Sequence, residues 1–207
     1  MAFFLTAHCL LKTGDVVLVE NPGYKPAWDT FKHAGAKLIP INVDRNGIDM
    51  EMVKSILSHT PVKAIYLTPH HQFPTTVTLS LSRRLELIKL SNHYGFTIIE
   101  DDYDSDFYFG KRPKVPISSH EELNNFIYIG TLSKLISPAI RIGYLYTNPD
   151  LLNKIGKLRK IIDTQSDNIM ELAICELINS GDSRRHKKRD INLYLRKRNA
   201  FTLLLNE

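Results

Sequence analysis

Short apolar runs bounded by turn-forming residues recur through the first three quarters of the chain: Val16 to Val19, Lys37 to Ile41, Ala64 to Leu67, Phe96 to Ile99, Phe126 to Ile129 and Ile142 to Tyr146. Most are rich in Val, Ile and Tyr, residues that suit a pleated buried surface, and they read as strands. Helical patterns lie between several of them: Ala27 to Ala34, Asp49 to Ser58, and Ser80 to Tyr94, where Leu81, Leu85 and Ile88 fall on one face. Alternating strands and helices predict an α/β fold with a largely parallel sheet covered on both faces. A ligand site then belongs at the C-terminal ends of the strands. Asn21-Pro22-Gly23, Asn46-Gly47 and Tyr94-Gly95 supply turns where that layout needs them.

After about Asp150 only helical spacing remains, in Leu151, Leu152, Ile155, Leu158, Ile161 and Ile162. A turn at Ser180-Gly181-Asp182 leads into a long helix from Ser183 to about Leu205. The chain opens equally abruptly, with apolar helix residues from the second position and no cap before them. That opening, MAFFLTAHCLLKTGD, lacks the basic start of a secretory signal and reads as an amphipathic helix packed on a domain.

Composition narrows the class. The 207 residues are 43% hydrophobic and 24% charged with 10 Gly and 10 Pro, which argues for a folded domain rather than a disordered or repetitive chain. No apolar run reaches the roughly 18 residues of a membrane span. Two cysteines far apart in sequence, Cys9 and Cys175, make no disulfide scaffold, so the cytoplasm is the expected location. The net charge of +5 is concentrated: eight basic residues between Arg184 and Arg198 face one acid, a local sum of +7 that leaves −2 for the remainder. Such a stripe is a solvated helix face or a phosphate-tracking patch.

Candidate chemistry gathers at two strand ends about 30 residues apart. Ile98-Ile99-Glu100-Asp101-Asp102-Tyr103-Asp104-Ser105-Asp106-Phe107 sets an acidic cluster after a buried strand, to be read as a solvated loop or a cation site. Gly130-Thr131-Leu132-Ser133-Lys134, followed by Pro138 and Arg141, offers hydroxyls, backbone N–H groups and cations that suit a phosphate, or a surface loop. His70 and His71 invite a metal reading, but adjacent histidines point apart and no third ligand has helpful spacing. Ser82, Arg83 and Arg84 read as surface residues opening a helix.

These pieces together resemble the fold-type I aminotransferases that use pyridoxal 5′-phosphate, most closely the aminotransferase-like domain of MocR/GabR-type regulators. The matching motifs are Gly14-Asp15 with Glu20-Asn21-Pro22-Gly23-Tyr24, the loop Thr68 to Thr75, Glu100 to Phe107, and Gly130 to Lys134 with Pro138, Arg141, Gly143 and Tyr144. They occur in the family's order from about residue 10 to about 205. The resemblance implies that Lys134 forms the internal aldimine and moves the substrate's α-proton, which calls for partial burial and a nearby cation to keep its amine neutral. Asp101 matches the carboxylate that holds the pyridine nitrogen protonated, and Tyr103 the hydroxyl on the cofactor's 3′ oxygen. Tyr24 matches the aromatic residue stacked on the ring. Thr131, Ser133 and Arg141 resemble phosphate anchors. The histidine before Gln, here His71, serves the family's loop structurally.

Three positions depart from the family's pattern. Thr76 stands where the loop after Pro74 normally ends in Gly, and a β-branched residue resists positive φ. Trp28 replaces the regulators' arginine, removing an anion contact. Phe73 stands where other aminotransferases of this fold type carry Asn.

The resemblance divides the chain into a pyridoxal-phosphate-binding large domain over 1–180 and a helix over 181–207 leading to a small domain. The family's phosphate-binding Gly-Ser/Thr loop falls before residue 1, as does the winged helix through which such regulators bind DNA. The arginine for the substrate's α-carboxylate falls beyond 207, so the chain reads as a fragment. Transamination of amino acids, or sensing of an amino compound by a regulator, is the implied function, with a homodimer as the family's usual assembly. The alternative is a cofactor-free α/β remnant serving as an interaction module.

Overall fold

The computed structural model describes residues 1–104, 107, 109, 115–164 and 167–205. Ser105 and Asp106 of the acidic cluster, and Asn206 and Glu207 of the expected 181–207 segment, lie outside the described residues.

Seven strands form one sheet: β1 (Val16–Asn21), β2 (Lys37–Asp44), β3 (Gly47–Ile48), β4 (Val62–Leu67), β5 (Thr97–Asp102), β6 (Phe126–Thr131) and β7 (Gly143–Thr147). Their order is β3-β2-β1-β4-β5-β6-β7, parallel from β2 to β6 with an antiparallel strand at each edge. The two-residue β3 escaped the sequence pattern because a hairpin of that length has no periodicity. Connections run outward in both directions from β1 and β4. The C-terminal ends of those two strands therefore border the crevice where open α/β sheets bind ligands.

Alternate residues of each strand feed two cores. Leu18, Ile41, Ile65, Leu67 and Ile98 face the helices α3 (Met50–Leu57) and α4 (Leu81–Tyr94). Val17, Val19, Ala64, Tyr66, Ile99 and Ile127 face α1 (Ala2–Leu10) and α2 (Lys25–His33), with α5 (Pro149–Ile162) beside them. Phe31 and Phe96 are fully buried, one in each core. Each is worth about 1.5–3 kcal/mol of burial. Asp49 caps α3 through the N–H groups of Glu51 and Met52 at 2.9 and 3.2 Å. Gly95 ends α4 at φ +76°, a left-handed conformation that glycine takes without strain.

The face assigned to α4 is corrected: Arg84, Leu87, Ile88 and Ser91 point inward, whereas Leu81 is 71% exposed and Leu85 is also exposed. Arg84 takes the inward place because its guanidinium finds three carbonyls, Leu79 O at 3.1 Å, Val115 O at 2.8 Å and Pro69 O at 2.9 Å. Arg83 is likewise engaged, pairing bidentately with Asp44 and donating to Gly47 O and Ile48 O. Beyond α5 the chain forms α6 (Asn168–Asn179) and α7 (Asp182–Leu205), where Ile169, Leu172, Phe201 and Leu203 are exposed. Among the described residues no helix is long and apolar enough to cross a membrane.

Candidate functional site

Three acids of the cluster do not lie in a solvated loop. Glu100, Asp101 and Asp102 complete β5 and all three are buried, their side chains alternating between the two faces of the sheet. On the α3/α4 side, Glu100 accepts from the N–H groups of Ile117 and Ser118, both at 2.9 Å. Burial pushes its carboxyl up, against those two bonds. Asp102 accepts from the Tyr128 hydroxyl at 2.6 Å and lies 3.3 Å from His70 Nδ1.

Asp101 alone turns to the opposite face, where the Tyr66 hydroxyl donates to its Oδ2 at 2.6 Å. Burial, with the charges of Asp102 and Asp104 adding and the Tyr66 bond opposing, pushes its carboxyl up to about 7. Tyr66 went unremarked in the sequence, although a tyrosine inside the run Ala64-Ile65-Tyr66-Leu67 signals a buried hydroxyl in need of a partner.

Strand register brings the second motif alongside. Asp101 pairs with Ile129 and Asp102 with Gly130, so Thr131 ends β6 next to the end of β5. The Thr131 hydroxyl accepts from Ser133 N at 3.1 Å and donates weakly to Ile142 O at 3.4 Å. Ser133 is buried. Lys134 is exposed, contrary to the partial burial that the resemblance called for. It sits in a run of turns held by Leu132 N to Ile142 O and Ile136 N to Leu132 O. Arg141 is also exposed, with φ 54°. Among the described residues neither side chain hydrogen-bonds Tyr24, Asp101 or Tyr103, although the register sets the end of β6 beside that of β5.

The third group of expected residues forms an aromatic wall. Tyr24, at the N-terminus of α2, meets Phe73 edge-on at 5.4 Å, and Phe73 meets Tyr103 at 6.5 Å. The Tyr103 hydroxyl donates to His71 O at 2.9 Å, and His71 Nδ1 lies 2.9 Å from Asp104 Oδ1. A phenol donates once, so giving its proton to any ligand oxygen means leaving His71. Thr76 adopts φ 61°, the left-handed conformation that a glycine would take freely there. Trp28, like Tyr24, packs against the core beneath α2, its buried indole N–H without a hydrogen-bond partner among the described residues. His70 and His71 thus belong to side-chain pairs on β5 and its turn, and no group of three metal-ligating side chains occurs among the described residues.

Comparison with known proteins accords with this layout. Residues 2–205 match the family described as aminotransferase class I and II. The whole chain aligns at 27% identity with half (51%) of aromatic-amino-acid aminotransferase 1 of Thermococcus litoralis. It aligns over 98% of its length, at 29% identity, with 40% of the probable rhizopine catabolism regulatory protein MocR of Rhizobium meliloti. The kynurenine aminotransferase of Pyrococcus horikoshii, solved in complex with PMP, superposes on all of the chain with a TM-score of 0.94 at 27% identity, using 52% of its own length. The chain therefore spans about half the length of the relatives it matches. With a seven-stranded sheet of this order and a match across nearly every residue, it belongs to the class I and II aminotransferase family, as a pyridoxal-phosphate aminotransferase-like domain.

Proposed function

We propose that the chain binds pyridoxal 5′-phosphate at the C-terminal edge of β5 and β6 and handles the amino group of a small amino compound. One observation carries this reading. Asp101 is a buried carboxylate held by one tyrosine, with no Lys or Arg bonded to it among the described residues. A protonated pyridine nitrogen would supply the missing positive charge, and the hydroxyl, amine and guanidinium groups next door suit the rest of the cofactor.

When bound, the cofactor supplies an electron sink for the carbon bearing the amino group. Asp101 would hold the ring nitrogen protonated, with Tyr66 orienting its carboxylate. Tyr103 would offer its hydroxyl to the 3′ oxygen and Tyr24 its ring face to the cofactor. Thr131, Ser133 and Arg141 would hold the phosphate. Lys134 would supply the amine that holds the cofactor and would move the α-proton, a role that requires a neutral amine.

Residues 1–180 form the cofactor-binding unit in this reading, and 181–207 lead toward a small domain that completes a homodimeric protein of the cytoplasm. The intact protein is a transaminase of amino acids or a regulator that senses an amino compound, and relatives of both kinds align with the chain. In the second case DNA is bound through an N-terminal winged helix rather than through this domain.

The test is a titration of the purified chain with pyridoxal 5′-phosphate, followed by absorbance and borohydride trapping, with Lys134→Ala alongside. A saturable band trapped on Lys134 and lost in the variant is expected. No band, or one that Lys134→Ala retains, favours the cofactor-free remnant.

A further inference from the structure

Glu20 is assigned no part in the chemistry above, yet it occupies the crevice between the diverging strands. It lies near the end of β1 with 3% of its surface exposed, and no cation pairs with it among the described residues. Burying a carboxylate that way costs several kcal/mol unless hydrogen bonds replace its water. Here they do so in part: Glu20 Oε2 accepts from Thr68 N at 3.0 Å and from Thr68 Oγ1 at 2.8 Å, just past the end of β4.

The bonds continue into the aromatic wall. Thr68 Oγ1, its proton given to Glu20, accepts from Phe73 N at 3.0 Å. Gln72 Nε2 donates to Phe73 O at 2.6 Å and to Pro22 O at 2.7 Å, tying the same loop to the turn that carries Tyr24. The turn has no slack, since a Cβ at Gly23 would collide with the Glu20 carbonyl oxygen. Both main-chain polar groups of Phe73 are thus held by a network anchored on Glu20, and its ring bridges Tyr24 and Tyr103.

We propose that Glu20 is a positioning residue for the cofactor ring, acting through Thr68 to set the Phe73 main chain and hence the wall of Tyr24, Phe73 and Tyr103. The proposal rests on the cofactor reading above. Glu20 touches neither end of that wall directly. Its carboxylate replaces the water that would otherwise solvate the start of the loop, and it fixes the Thr68 hydroxyl as donor to itself and acceptor to Phe73. A carboxylate serves better than an apolar residue because Thr68 N and Thr68 Oγ1 must both be satisfied by one side chain in a buried place.

The experiment compares pyridoxal 5′-phosphate affinity and near-ultraviolet dichroism of the aromatic wall in the purified chain, Glu20→Ala, Glu20→Gln and Thr68→Val. Glu20→Ala should bind about 10-fold or more weakly with its dichroism altered, while Lys134 is still trapped at saturation. Glu20→Gln keeps an oxygen for both Thr68 bonds and should stay within about threefold of the parent chain. Thr68→Val breaks only the hydroxyl link and should lose about 3- to 10-fold. A folded Glu20→Ala within twofold of the parent, or a Glu20→Gln as weak as Glu20→Ala, overturns the proposal. If Glu20→Ala does not fold, parent-like affinity in Thr68→Val overturns it instead. A parent chain that shows no band trapped on Lys134 refutes the cofactor reading itself, a different outcome from a parent that binds and variants that bind equally.

Discussion

Two loops at the C-terminal edge of the sheet, one after β4 and one after β6, are built in opposite ways. The loop from Thr68 to Leu79 is stitched to β1, β5 and α4 by buried carboxylates, an amide and a guanidinium, with Glu20, Gln72 and Arg84 all below 9% exposure. The stretch from Thr131 to Gly143 is held by a few turn bonds, leaves Lys134 and Arg141 in solvent, and runs along the edge strand β7, whose Tyr144 and Tyr146 are exposed. The aromatic wall is thus preorganised by the chain's own contacts. The wall that carries Lys134 and Arg141 has fewer of them among the described residues.

The contrast should appear first in stability. Arg84→Met removes donors to three carbonyls and a buried positive charge that Glu100 and Asp102 favour, so urea unfolding should register a loss of about 3–5 kcal/mol. Proton linkage should be nearly as large. Burial raises both Glu20 and Asp101 to about 7, above their ordinary 4.5 and 3.8, so the folded chain holds protons that the unfolded chain has released. Stability contributed by these groups is therefore present at low pH and falls as pH rises from about 4 through 7, by on the order of 3 kcal/mol for Glu20 alone. Unfolding midpoints measured between pH 5 and pH 8 should decline, and Glu20→Gln should flatten that decline. A profile that rises over this interval and is unaltered by the variant would contradict the assignment of buried, protonatable carboxylates.

Smaller effects separate the walls further. Thr76→Gly relieves the left-handed conformation at an exposed position and should stabilise the chain by about 1 kcal/mol in the same assay. Lys134→Ala, which should abolish cofactor trapping, should move stability by no more than about 0.5 kcal/mol, because an exposed side chain on the open wall supports no packing. A large loss there would mean that the second wall is as preorganised as the first.

Much of this was readable in the chain. The runs at Val16, Lys37, Ala64, Phe96 and Phe126 became parallel strands because consecutive apolar residues serve a sheet buried on both faces, and Asp49 and Ser80 marked the starts of their helices. The positions of Asp101 and Thr131 followed from the same pattern, since residues that end neighbouring parallel strands lie side by side. Arg84, Glu100 and Asp102 were misread for one reason. Charge predicts exposure only while no partner is known, and their partners, Pro69 O, Ile117 N and Tyr128, lie 15, 17 and 26 residues away. Leu81 and Leu85 erred the other way, because helical spacing shows that a stripe exists but not whether anything packs on it.

The sequence by itself determined the strands of the sheet and the family, because periodicity, turn chemistry and motif order are local properties of a chain. Only the tertiary structure decided that Asp101 turns away from Glu100 and Asp102, that Tyr66 holds it, and that Glu20 bonds Thr68 beneath the loop of Phe73. Those choices depend on partners 35 and 48 residues apart. Such pairs are selected by the desolvation of buried polar groups, whose cost is met only when the folded chain brings donor and acceptor together.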